Sequence, residues 1–390
     1  MSEWKPIQLR DISSDISYGY TASAVSENVG PKFLRITDIT SGRINWETVP
    51  YCKISDRDLP KYQLGIGDIV IARTGATTGY NAIIKNEINA VYASYLIRFQ
   101  IDNKLANPFF VGHILQSNSF QDYVDSIAGG SAQPGANAQQ LADFEFLLPS
   151  IHEQNTIAEV LRSLDDKIDL LHRQNKTLEQ LAETLFRQWF IEEVEESWRI
   201  IKICDVVEIN AKTISKNNPF FEIEYLDTGS ITEGVISEFQ IYKLPDAPSR
   251  AQRIVKDNDI IYSLVRPIQR HYGLIHGVKP NTIVSTGFCV ISCTNISSHF
   301  LYLLLTRDDT VEYLDMVAEG STSTYPSLKP SDIANFEFQK PPQEKLNKFS
   351  KIASDAWDKI KLNADQINTL THLRDELLPK LINGEIKIRN

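Results

Sequence analysis

Between residues 157 and 189 apolar side chains return in alternating steps of four and three. They are Ile157, Leu161, Leu164, Ile168, Leu171, Leu178, Ala182, Leu185 and Trp189, with Asn175 in the one polar place. This heptad, sustained over more than four repeats, predicts a long helix of coiled-coil type. A buried amide at an a position gives up stability to fix register, which is the role expected of Asn175. The stepping returns near the C-terminus in Phe349, Ala353, Ala356, Ile360, Asn363, Ile367, Leu370 and Leu377, with the charged Arg374 at one seam position. Pro379 and Gly384 mark the end of that helix. Each helix has an apolar seam in need of a partner, so the two are expected to pair antiparallel. The alternative is that each packs as an ordinary core helix.

Ahead of each helix lies a stretch of different pattern. Short runs such as "FLRITDI", "GDIVIAR" and "AVYASYLIRF", and later "FEIEYLD", "NDIIYSL" and "TIVSTGFCVIS", are rich in β-branched and aromatic residues. A helical pattern, "FFVGHILQSNSFQDYVDSI" (109–127), follows the first set. Mixed strand and helix predicts α+β heads. The expected division is 1–150 head one, 151–194 central helix, 195–342 head two and 343–390 distal helix.

The two halves repeat one another. "DFEFLLP" (143–149) returns as "NFEFQKP" (335–341), an offset of 192. At that offset Ile39, Thr40, Gly42 and Ile44 fall on Ile231, Thr232, Gly234 and Ile236. Ser131, Pro134 and Ala142 fall on Ser323, Pro326 and Ala334. "GDIVIAR" (67–73) lies on "NDIIYSL" (258–264), one residue out of step, and Trp4 and Trp198 open the halves. A period near 190 is too long for a solenoid. The chain is one domain twice, with pseudo-two-fold duplication: two heads held apart by an antiparallel helical pair, whose ~40-residue helices would span ~60 Å.

Composition narrows the function classes. The chain has 390 residues and a formal net charge of −10, which argues against indiscriminate coating of nucleic acid. No apolar run approaches the ~20 residues of a membrane span, and the N-terminus has no signal-type segment, so a cytoplasmic protein is expected. The cysteines Cys52, Cys204, Cys289 and Cys293 form no disulfide framework. Cys289 and Cys293 would face one side of a strand as buried thiols, and no histidine stands beside them to make a metal site. The sequence holds no GxxxxGK[ST] loop, no [ND]PP[YFW] tetrapeptide, no HExxH and no GxSxG. No catalytic residue and no metal ligand is assigned.

Two heads, two long helices and no catalytic motif resemble the specificity subunits of type I restriction-modification enzymes. "LRDELLPKLINGEIKI" looks like the end of that family's distal spacer, and "TLEQLAETLFRQWF" like the end of its central spacer. "GSAQPGANAQQLADFEFLLPSIHEQ" looks like its junction from head to spacer, and "GDIVIARTG" and "NDIIYSLVRP" like motifs within its heads. The resemblance implies target recognition domains that each read half of a bipartite DNA sequence. It implies helices that set half-site spacing and dock two modification (methyltransferase) subunits. S-adenosylmethionine and ATP would then be cofactors of the modification and restriction subunits, and this chain would hold none.

Base reading needs Arg or Lys for guanine and Asn or Gln for adenine, and phosphate anchoring needs cations, hydroxyls and backbone amides. Two loops per head have that chemistry. In head one they are "ARTGATTGYN" (72–81), with Arg73, Thr74, Thr77 and Thr78, and "GGSAQPGANAQQ" (129–140), with Ser131, Gln133 and Asn137. In head two they are "VRPIQRHYG" (265–273), with Arg266, Gln269, Arg270 and His271, and "STSTYPSLK" (321–329), with Ser323, Tyr325 and Lys329. The plain alternatives are a glycine-rich hairpin and solvated turns. Two other functions stay open at this point: a scaffold that holds two protein partners apart without DNA, and a self-contained enzyme with an unrecognised site.

Overall fold

The computed structural model describes residues 4–40, 44–128, 135–215, 219–321, 325–386 and 388. The long helices run Ile151–Arg187 and Gln343–Ile382. The chain forms two compact units, Met1–Asp169 with Asn368–Asn390, and Leu170–Ile367. Each unit therefore owns a head and a stretch of both helices. The reason is packing. The helix ends Leu381 and Ile382 join Leu9, Phe110, Phe120 and Leu161 in the core of the first unit. Phe186 and Phe190 join Phe300, Phe338 and Phe349 in the second. Phe190 lies 4.9 Å from Phe300 and 5.1 Å from Phe349, both edge to face, a favoured aromatic geometry.

In the first unit an antiparallel sheet runs in the order Ser13–Tyr18, Leu96–Ile101, Ile69–Ala72, Asn81–Ile83. The second unit repeats this order with Val207–Ile209, Phe288–Cys293, Ile260–Ser263 and Tyr272–Leu274. A parallel pair also recurs, Lys32–Leu34 with Ala90–Tyr92 and Glu222–Leu226 with Thr282–Ser285. The repeated "FEF" strings are closing strands. Glu145–Leu148 pairs antiparallel with Lys5–Gln8, setting Phe146 opposite Ile7. Glu337–Gln339 pairs with Ile200–Lys202, setting Phe338 opposite Ile201. So the segment after each opening tryptophan is sewn to the last strand of its own head.

Two local expectations change. "FLRITDI" is a strand only over Lys32–Leu34, because Asp38 accepts from the Arg35 amide at 2.8 Å and its guanidinium at 3.0 Å and closes a 3-10 turn. The helical pattern 109–127 is two helices, Pro108–Leu115 and Asn118–Ala128, with the Ser117 hydroxyl donating to Ile114 O between them.

Both helix seams point inward. Leu161, Ile168, Leu171 and Asn363 are buried, and Leu164, Asn175, Leu178, Leu185, Ile360, Ile367, Leu370 and Leu377 are half-buried. In the second unit Trp189 lies 6.4 Å from Phe349 while Asn363 Nδ2 donates to Asn175 Oδ1 at 2.8 Å, so the helices run antiparallel. Both asparagines of the seam meet, and Asn363 is fully buried. In the first unit the out-of-pattern Arg374 pairs with Asp165 at 3.2 Å, which explains a charge in the seam. Gly384 ends the distal helix in the left-handed region (φ 71°), with the Trp4 ring against it.

Cys289 and Cys293 share one strand and one core, and burial pushes their thiols up to about 12 and about 11. Among the described residues no helix is long and apolar enough to cross a membrane.

Candidate nucleic-acid interface

The two candidate loops of each head lie side by side, joined by backbone bonds. In head one Ala136 N–H donates to Arg73 O at 2.9 Å, and Thr74 bridges Gly135. In head two Leu328 N–H donates to Leu264 O at 2.7 Å, and Val265 bridges Ser327. These positions correspond across the duplication, so both heads build one loop pair in one register. Nothing local in the sequence announces it, because the partners are some 60 residues apart.

In head one Arg73 is half-buried, its guanidinium 5.0 Å over the ring of Tyr18. The Tyr18 hydroxyl accepts from Ala138 N–H at 3.1 Å, tying the second loop to the same ring. Thr74 and Thr77 are half-buried, around the turn Gly75–Thr77. Thr78 is only 5 % exposed and donates to Gly75 O at 2.7 Å, so its hydroxyl braces the turn instead of facing a ligand. Asn137 is exposed but caps the helix Ala138–Ala142, accepting from Gln140 N–H at 2.9 Å. Ser131 and Gln133 lie outside the described residues. Tyr80 and Tyr95, exposed beside Arg73, escaped the sequence reading. Their backbone carbonyls accept from Ala72 and Arg73, and only a preference for exposed aromatics next to a cation would have selected them.

In head two Arg266, Gln269, Tyr325 and Lys329 are exposed. The Arg266 guanidinium lies 5.1 Å over the Tyr325 ring, the counterpart of Arg73 over Tyr18. Lys329 also donates its amide to Asp332 at 2.7 Å at the start of the helix Pro330–Ala334. Ser323 lies outside the described residues. The equal standing of Arg270 and His271 with Arg266 is not kept. Arg270 is bound by Asp308 at 2.6 Å, a pairing that pushes its pKa further up, and by Glu233 at 3.6 Å. His271 Nδ1 is 2.6 Å from Ile231 O, to which it donates. Both side chains have partners within the head.

Among the described residues no three His, Cys, Asp or Glu side chains converge as metal ligands. An open groove of about 640 Å³ in the second unit lies along Phe186, Phe190, Phe336 and Phe338, and none of the loop residues lines it.

Two copies of one α+β head, each presenting a paired loop and each leading into a long heptad helix, define a tandem recognition protein. The family model described as "Type I restriction modification DNA specificity domain" matches residues 1–180 and again 195–372. The chain belongs to that family, the specificity subunits of type I restriction-modification systems. It is 25 % identical over 356 residues to the MjaIX specificity subunit of Methanocaldococcus jannaschii, covering 82 % of this chain and 78 % of that one. With the HindI specificity subunit of Haemophilus influenzae it shares 24 % over 468 residues, covering 99 % and 100 %. The crystal structure of the type I restriction-modification S subunit from M. genitalium matches with a TM-score of 0.62 at 14 % identity, over 100 % of this chain and 97 % of that one, and so shares the fold. Membership sets aside the DNA-free scaffold.

Proposed function

We propose that each head reads one half of a bipartite duplex DNA target through its paired loops. One observation carries this reading: the loop pair recurs with the same backbone bonds in both heads, while its side chains differ. Arg73 with Thr74, Thr77, Tyr18, Tyr80 and Tyr95 would serve one half-site, and Arg266 with Gln269, Tyr325 and Lys329 the other. An arginine set over an aromatic ring keeps its outer N–H groups for a base edge or phosphate. The long helices set the distance between half-sites and dock two modification subunits, and restriction subunits join that complex. S-adenosylmethionine and ATP belong to those partners, and this chain supplies specificity without catalysis, in the cytoplasm where the DNA lies. Methylome sequencing of cells with and without this chain tests the reading. Loss of one bipartite methylated motif is the expected result, and an unchanged methylome would overturn it.

A further inference from the structure

The turn that carries Arg266 is held in a conformation its residues do not favour. Arg266 and Arg270 flank the 3-10 turn Pro267–Gln269, and both sit in the left-handed region, with φ of 47° and 57°. A side chain with a Cβ adopts that backbone only where the surroundings impose it. Here the restraints come from two neighbouring elements. On one side, the helix Asp308–Glu319 presents Asp308 to the Arg270 guanidinium at 2.6 Å, and Asp315 accepts the Ile268 N–H at 3.1 Å. On the other, Glu233 stands 3.6 Å from Arg270, and its own N–H donates to Arg270 O at 2.8 Å. Arg266 has the opposite setting. It is exposed, and no carboxylate among the described residues pairs with it.

Charge separates the two arginines further. Arg270 with Asp308 and Glu233 sums to one negative charge, and the Asp308 side chain is 81 % exposed. A phosphate that came to Arg270 would meet that carboxylate. We propose that Arg270 is a positioning residue: with Glu233, Asp308 and Asp315 it fixes the turn so that Arg266 and Gln269 face the bases. This rests on the DNA-reading function proposed above.

The two roles predict opposite responses to Asp308→Asn. If Arg270 only positions the turn, the substitution slackens it and base preference falls. If Arg270 touches DNA, the substitution frees it and removes a repelling charge, so preference holds or sharpens. The assay is selection from random-sequence duplexes by the full-length chain. The wild type is expected to enrich a bipartite motif. Asp308→Asn and Arg270→Gln are expected to lose preference roughly ten-fold, the scale of one lost base contact, at the same positions that Arg266→Ala loses. Preference in the other half-site is expected to stay. Arg270→Lys keeps a cation between Asp308 and Glu233 and is expected to retain more of the preference than Arg270→Gln. Full preference in Asp308→Asn, or equal loss in Arg270→Lys and Arg270→Gln, overturns the proposal. A wild type that enriches no motif overturns the function beneath it.

Discussion

Replacing Asp165 by alanine should destabilise the first unit measurably. Asp165 lies on the central helix with its side chain 12 % exposed, and it accepts from Lys85 at 3.1 Å and from Arg374 at 3.2 Å. Burial pushes its carboxyl up, but Lys85, His113 and Arg374 hold it below the usual carboxylate value. Without the anion, Lys85 keeps Asp169 at 3.9 Å and Arg374 keeps Asp375 at 2.7 Å, and the buried link between them and the central helix is lost. Breaking a fully buried pair costs about 3–5 kcal/mol. Lys85 and Arg374 are 27 % and 32 % exposed, so solvent takes part of that load and about 2–3 kcal/mol remains. For a unit of this size a kcal/mol moves Tm by about 2–4 °C, which gives a fall of roughly 4–12 °C. Thermal unfolding followed by circular dichroism at neutral pH reads it. Because the folded carboxyl titrates below the unfolded value of ~3.9, the contribution is present above that pH and is lost as pH falls through the folded pKa. The gap between wild type and variant should therefore close in acid. A variant within about 0.5 kcal/mol of wild type at neutral pH would refute the account, since that is the range of an ordinary surface change.

Three further outcomes are expected. Arg266→Ala should cost ~1–3 kcal/mol of discrimination at one half-site and leave the other intact, and methylation profiles that lose both halves equally would contradict it. Burial lowers the pKa of His299 to about 4, with its Nε2 unpartnered, and the ring stacks 5.8 Å from that of His276 and meets that of Trp357 edge to face at 5.1 Å. A histidine buried neutral loses stability as pH falls below the unfolded value of ~6.5 and reaches its full loss near the folded value, so His299→Phe should flatten the acid limb of stability between those limits. An unchanged slope in urea titrations would count against that. Finally, four residues added to both helices, within 165–180 and within 356–370, lengthen each by ~6 Å, close to two base pairs. The matched variant should keep both half-sequences and gain about two undefined bases, and methylation at the old spacing would defeat the ruler.

The helices and the duplication were legible because each is a short-range signal. A seam of period three and four needs only its own residues, and "FEF" at 144–146 and 336–338 announces the second copy by identity. What escaped was set by distant partners. Arg270 reads like Arg266 until Asp308, 38 residues on, is found beside it. Thr78 looks like a ligand-facing hydroxyl until its bond to Gly75 O buries it. The place of the distal helix end in the first unit escaped too, because Leu381 and Ile382 complete a core begun by Leu9 and Ile12. Amphipathic pattern says which face is buried, and says nothing about which head will bury it.

The latch between loops in each head includes a bond made by main-chain atoms: Ala136 N–H to Arg73 O in one, Leu328 N–H to Leu264 O in the other. That bond does not depend on which side chains the two residues carry. A mutation at Arg73 or Arg266 can alter what a loop reads while this backbone bond stays. The outer residues are free to drift toward new targets at small cost in folding, whereas braces such as Thr78 and Arg270 are not. A fold of this build can acquire a new specificity one residue at a time without passing through an unfolded intermediate form.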